Sequence, residues 1–316
     1  MMKKLISFII VSALLVMTIL YAATTGSIQM SYVEFIEKLL HANAQMAAII
    51  DLRFPRIMTA MLAGAALSVA GVLLQAIMKN PLADAGFIGI SAGASFTQLV
   101  IVSFFPLYFF MTPVVAFIGG AFACFLVFLL SWKSGLNPLK LILVGIAINA
   151  VFTGLIEVLL SFGASRSGVT TSNFTLQTWD DVTLLATYSG IGLVLALFVA
   201  KWCNILVLSD KTARSLGFNI TAARIIIAAL AVLLAASSVV VVGVIAFVGI
   251  LVPHIARRLV GYDHRVLMPF TALLGALIIL VADTLGRTLF MPIEVPASTI
   301  MAIIGGPFLI FLLRKG

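Results

Sequence analysis

Unbroken apolar runs long enough to cross a bilayer recur along the whole chain, and no other feature restricts its folding as severely. A crossing helix needs about 20 predominantly apolar residues. Such runs occupy 5–23, 57–77, 86–105, 113–132, 139–162, 184–200, 267–284 and 296–313. The stretch from Arg224 to Gly261 is too long for one helix and contains Ser237, Ser238 and Gly243, so it divides into 225–241 and 244–261, giving ten spans. Of 316 residues, 9% are charged, against roughly 25% in soluble domains, too few to cover a water-soluble surface. Transmembrane barrels alternate apolar and polar residues, whereas these runs are continuous. The expectation is an all-α, polytopic membrane protein of ten transmembrane helices, with residues 1–316 forming a single transmembrane domain.

The basic residues orient it. With the N-terminus inside, the inner segments hold 14 of the 19 Lys and Arg, from Lys3 and Lys79 through Lys211, Arg214 and Arg224 to Arg257, Arg258 and Lys315. The outer segments hold Lys38, Arg53, Arg56, Arg166 and Arg287. Short cytoplasmic loops carry this excess, so both termini are expected in the cytoplasm. The net charge of +8, which in a soluble chain would suggest nucleic acid, is here a mark of membrane orientation. Met1 to Tyr21 resembles a signal peptide with Ala22-Ala23 as a small-residue end, but in a chain with many further spans an uncleaved first helix is expected. Cys124 and Cys203 lack metal-type spacing and are read as buried, reduced thiols.

Three polar stretches remain. The outer segment 24–56 has room for a surface helix from Tyr32 to Leu40, and the outer segment 163–183 carries the pair Asp180-Asp181. The inner segment 201–224 reads as one or two short helices, with Ser209 as N-cap and Gly217 in the left-handed position that ends the first. A short helix here suits a groove on a partner ATPase, or else anionic lipid. Glu157 and Asp283 stand toward the outer ends of their spans, and Asp283 lies four residues before Arg287, the spacing of a helical ion pair. The chain has no phosphate-cradling G-x-x-x-x-G-K-[ST] loop, no catalytic triad and no histidine cluster, so no metal and no cofactor is expected. Active transport would draw on an ion gradient or on a separate ATPase. Phe87-Ile88-Gly89-Ile90 is echoed by Phe247-Val248-Gly249-Ile250, compatible with an inverted repeat.

A series of blocks narrows the class. Arg53-Phe54-Pro55-Arg56, Ala63-Gly64-Ala65-Ala66-Leu67, Asn80-Pro81-Leu82-Ala83 and Gly86 to Ala94 are followed by Phe247-Val248-Gly249, Pro253-His254-Ile255-Ala256-Arg257, Asp263-His264-Arg265, Ala282-Asp283, Glu294-Val295-Pro296 and Gly305-Gly306-Pro307-Phe308. In this order and spacing, from about residue 50 onward, the series resembles the FecCD family, permease subunits of ABC importers for ferric siderophores, haem and cobalamin. The resemblance implies a ten-helix permease in a bacterial cell membrane that performs no covalent chemistry. It implies a second permease copy or paralogue, cytoplasmic ABC ATPase subunits, an extracytoplasmic substrate-binding (lipo)protein, and an iron chelate or tetrapyrrole as substrate. Within 201–224, Ser209, Asp210, Lys211, Ala213, Arg214, Leu216 and Gly217 would couple to the ATPase. Arg53, Arg56 and Arg287 would receive the binding protein's acidic groups, with headgroup anchoring or the Asp283–Arg287 pair as the plainer role. Asn80 and Leu82 would belong to a cytoplasmic gate. His254 is expected to be a structural, hydrogen-bonding histidine. Leu176-Gln177-Thr178-Trp179 with Asp181 resembles Gram-positive haem permeases, while siderophore and cobalamin stay open, as does a gradient-driven secondary carrier working without an ATPase.

Overall fold

The computed structural model describes residues 2–25, 44–86, 88–132, 138–163, 174, 177–289 and 293–315. These residues form eleven α-helices and, among them, no strand. They are α1 (Met2–Thr24), α2 (Ala44–Met78), α3 (Ile90–Phe104), α4 (Thr112–Ser131, entered through the 3-10 turn Pro106–Met111), α5 (Pro138–Ser161), α6 (Trp179–Leu206), α7 (Asp210–Ser215), α8 (Ile220–Val242), α9 (Val248–Val260), α10 (His264–Thr288) and α11 (Ala297–Lys315). The six-residue α7 falls in the inner segment 201–224. The other ten helices each coincide with one apolar run, so the all-α, ten-span architecture holds.

The largest departure is at α2. It begins 13 residues before the run at 57–77 and carries Asp51, Arg53 and Arg56 inside a helix of 35 residues. Hydropathy stops at the first charges, but a helix continues through charges that find partners. The surface helix expected at Tyr32–Leu40 lies outside the described residues.

α2 is the axis of the bundle. Of its crossing window 83% is buried, against 17% for α1 and 22% for α5, so α1 and α5 are peripheral. Lipid gives helices no hydrophobic reason to associate, and close backbone approach at small residues takes that place. Gly64 meets Gly275 of α10, Gly71 meets Gly249 of α9, and Gly93 of α3 meets Gly119 of α4; at each pair an added Cβ would strike backbone of the facing helix. α1 packs on α10 through Phe8 and Phe270, with ring centroids 4.9 Å apart.

Two helices are short. α3 has 15 residues and α9 has 13, about 20 Å each at 1.5 Å per residue, less than the roughly 30 Å hydrocarbon core. The echoed blocks mark their starts, and each has a left-handed residue at its N-cap, Gly89 (φ +85°) and Phe247 (φ +69°). Left-handed backbone is costly for a residue as bulky as Phe. Irregular backbone at membrane depth persists only inside protein that satisfies its polar groups. Glutamines do so here: Gln98 Nε2 donates to Val240 O at 3.0 Å and Gln177 Nε2 to Val241 O at 3.2 Å, serving the last carbonyls of α8. Gln75 Nε2 donates to Gly249 O at 2.7 Å.

Candidate functional site

At the end holding the Lys79, Arg224 and Arg265 positions, α2, α6, α7, α8 and α10 converge. Asp210 opens α7, and its carboxylate is held by Lys79 Nζ at 2.8 Å and by Arg224 at 3.1 Å. One carboxylate thus ties the residue that follows α2 to the start of α7 and the N-terminal part of α8. Burial alone would raise the Asp210 carboxyl, but the Lys79 hydrogen bond and the Arg224 and Lys79 charges hold it below the usual carboxylate range. Ser209 caps α7 by accepting from Thr212 N at 3.1 Å, and Gly217 lies at φ +75°, as the sequence leads one to expect. Ala213 is buried, while Lys211, Arg214 and Leu216 are exposed. Leu216, though apolar, is 67% exposed.

Lys79 adopts φ +49°, turning the chain directly into the Asn80–Ala83 loop. There Asn80 Oδ1 accepts from Leu82 N at 2.8 Å and Asn80 O from Ala83 N at 3.2 Å, a compact Asx-type turn. Nearby, Asn204 Nδ2 donates to Asp263 at 2.7 Å and Asn204 Oδ1 accepts from His264 N. The Asn204 and Arg265 hydrogen bonds hold the Asp263 carboxyl below its usual range.

Beside the turn is a cavity of about 760 Å³, walled by α2, the turn, the end of α6, and α9. His254 of α9 lines it, but Nε2 finds no hydrogen-bond partner among the described residues. The expectation of a hydrogen-bonding histidine therefore fails at this nitrogen; the ring instead packs edge-on to Phe308, with centroids 5.5 Å apart.

The opposite end gathers the outer arginines, which are buried: Arg53, Arg56 and Arg287 are 7%, 8% and 9% exposed. Arg56 grips Asp283 bidentately, with Nε–Oδ2 and NH2–Oδ1 both 2.9 Å, and reaches Glu294 Oε2 with NH1 at 2.9 Å. The helical Asp283–Arg287 pairing suggested by spacing is thus superseded: Asp283 is taken by Arg56 across helices. Arg287 NH2 donates to Ala22 O at 2.8 Å and Arg53 NH1 to Ala23 O at 2.6 Å. Two guanidinium groups meet the last carbonyls of α1, where the helix dipole favours cations, and bind that helix into the bundle.

Sequence reasoning passed over Asp84, which is 4% exposed at the junction of α2, α3 and α9. Its carboxylate lies against the backbone N–H groups of Ala85, Gly86, Phe247 and Gly249, although Oδ2 makes no well-formed hydrogen bond. A Cβ at 249 would collide with Oδ1. The signal was legible as one acidic residue next to the block Gly86 to Ala94, but only the fold brings it to the start of α9. The stretch Gln177 to Asp181 has local duties: Thr178 and Asp181 form a capping box for α6, and Trp179 Nε1 donates to Asp51 at 3.1 Å. Glu157 is exposed on α5, and both cysteines are buried and free.

Long apolar helices packed around α2, with two short helices that start inside the bundle, mark a multi-pass membrane protein. Residues 14–315 match the profile of the FecCD transport family, and the chain belongs to that family. It is 41% identical over 312 residues, 98% of this chain and 96% of the relative, to the "Probable heme-iron transport system permease protein IsdF" of Staphylococcus aureus strain MSSA476, and 40% identical over the same shares to that of strain Newman. Among solved structures it is similar to a chain described as a metal-chelate type ABC transporter in an inward-facing conformation, with TM-score 0.83 and 28% identity over 99% of this chain and 100% of that one. A chain of PsaBC from Streptococcus pneumoniae shares the fold at TM-score 0.57 and 14% identity, over 89% of this chain and 95% of that one.

Proposed function

We propose that the chain is the permease subunit of a binding-protein-dependent ABC importer that carries an iron chelate, haem or a ferric siderophore, into the cytoplasm. The observation that carries this reading is α7. It offers Arg214 and Leu216 outward while Asp210 fastens it to α2 and α8. An ATPase gripping that helix would pull on α2, and through Lys79 on the Asn80–Leu82 turn, which we assign as the cytoplasmic gate. Ser209, Asp210, Lys211, Ala213, Arg214, Leu216 and Gly217 form the coupling segment in this reading. The haem-iron name of relatives 41% identical favours haem as cargo.

A second permease copy or paralogue is supported by α5. Its exposed face carries Glu157 beside Gly154 and Thr153, and a carboxylate facing lipid is costly. That face suits a partner subunit or a water-filled path between two copies. On the outer face, Arg53, Arg56 and Arg287 are the proposed receiving region for the acidic groups of a binding protein. Arg56 is already neutralised, so docking there proceeds by exchange with Glu294, whose side chain is 41% exposed.

The test is recovery of the tagged chain in mild detergent from its native host, followed by uptake in proteoliposomes. An ATPase recovered in near-equal amount, with uptake that needs ATP and survives an uncoupler, supports the importer. Uptake that collapses with the uncoupler while ATP remains would instead make the chain a gradient-driven carrier.

A further inference from the structure

The open cavity beside the gate turn measures about 760 Å³, within the roughly 300–1,000 Å³ of small-molecule sites and far more than one inserted side chain needs. Its charge is one-sided. Lys79, His254, Arg257, Arg258 and His264 line it, and among the described residues no Asp or Glu does. Lys79 is committed to Asp210, and His264 to Asn204. Arg257 is half-buried, and its NH1 is covered from water with no hydrogen-bond partner among the described residues. His254 Nε2 and Gln75 Oε1, on the same cavity, are likewise without partners. Three residues apart on α9, His254 and Arg257 share a helix face.

A guanidinium nitrogen covered from water without a hydrogen-bond partner is costly, and a carboxylate is the partner whose geometry matches the fork. We propose that this cavity is an exit site for a carboxylate-bearing chelate. Arg257 pairs with a cargo carboxylate, and Ala76, Leu82 and Val207 accept the apolar body. The proposal rests on the importer reading and deepens it by naming a residue that contacts cargo with peripheral carboxylates. Among the described residues no group of three His, Cys, Asp or Glu could hold a metal ion, so the site receives a metal already chelated rather than a free ion.

The test uses the purified permease–ATPase assembly in detergent, with protoporphyrin IX (two carboxylates, no iron) and its dimethyl ester as probes, both titrated by fluorescence. The ester measures partition into micelle and apolar wall. The free acid is expected to bind on the order of tenfold tighter than the ester, a preference that falls to near unity in Arg257→Gln, is restored only in part in Arg257→Lys, and is unchanged in Lys140→Gln, an exposed residue that does not line the cavity. Assembly with the ATPase reports folding of each variant. Equal binding of acid and ester by the wild type, or an undiminished preference in Arg257→Gln, overturns the proposal. So does a preference that emerges only once the ATPase is removed, which makes an ATPase side chain the occupant, or one abolished by phosphatidylglycerol, which makes it a lipid phosphate. ATP-driven haem uptake in proteoliposomes is scored separately: normal uptake with no acid preference sinks the exit site and leaves the importer standing, whereas absent uptake with intact preference does the reverse.

Discussion

Arg56 shows how a charge becomes tolerable near membrane depth. Its guanidinium meets Asp283 bidentately and Glu294 with its remaining edge, so the charge is spent within the chain. Removing one member of a buried pair leaves the other uncompensated, typically costing 3–5 kcal/mol. Arg56→Ala is expected to destabilise by about 3 kcal/mol, read as a lowered Tm in detergent; an unchanged Tm would show that the pair does not hold α2 to α10. Asp210 poses a different problem, because it is a third exposed and its value lies in geometry. Its carboxyl is held below the usual range, so the contribution of the clamp is fully present above the unfolded carboxylate value near 3.9 and is lost only as pH falls through the lower folded value. Coupling is therefore expected to be flat with respect to Asp210 between pH 6 and 8. Asp210→Asn, in contrast, is expected to lower transport per ATP hydrolysed at every pH in that range, with Asp210→Glu restoring it in part. Parallel measurement of uptake and ATP hydrolysis checks this, and an unchanged ratio would reduce the clamp to local packing.

Among the elements, α9 and α7 carry the argument. α9 starts inside the bundle because Gln75 and Asp84 serve its first turn and because Gly249 lets α2 approach at Gly71. Gly249→Ala is expected to prevent this packing, since the new methyl enters both Asp84 Oδ1 and the Gly71 backbone; loss of monodisperse protein on gel filtration is the readout. α7 has only six residues and cannot be stable alone. Its cap at Ser209, its left-handed stop at Gly217 and the Asp210 clamp hold it in place. Joint replacement of Arg214 and Leu216 by Asp is expected to release the ATPase in pull-down while leaving Tm near wild type, because both side chains point away from the bundle. The cap and the stop were legible in the sequence, since they are local. The clamp was not, because Lys79 and Asp210 are 131 residues apart and nothing along the chain says that they meet.

At the scale of the whole molecule, the apolar runs and the uneven distribution of Lys and Arg lead one to expect ten spans with a basic inner face, and the structure gathers the residues assigned to the inner and outer segments into clusters at opposite ends. What hydropathy misjudged is instructive. It ended the second span at Arg56, and it assigned the outer arginines to loops, because it counts a charge as exposed wherever it falls. It also noticed Glu157 and Asp283 but passed over Asp84, which stands between a turn and a helix start rather than within an apolar run.

The sequence alone therefore determined the lipid setting, the set of apolar helices and the local helix ends, all of which depend on neighbouring residues and on transfer from water to lipid. Only the tertiary structure decided which charges neutralise each other, where two helices break within the membrane, and which cavity holds an arginine with one buried nitrogen left without a partner among the described residues. Those outcomes depend on contacts between residues far apart in the chain, and a buried charge is stabilised or left costly by the particular group that packing places within about 3 Å of it.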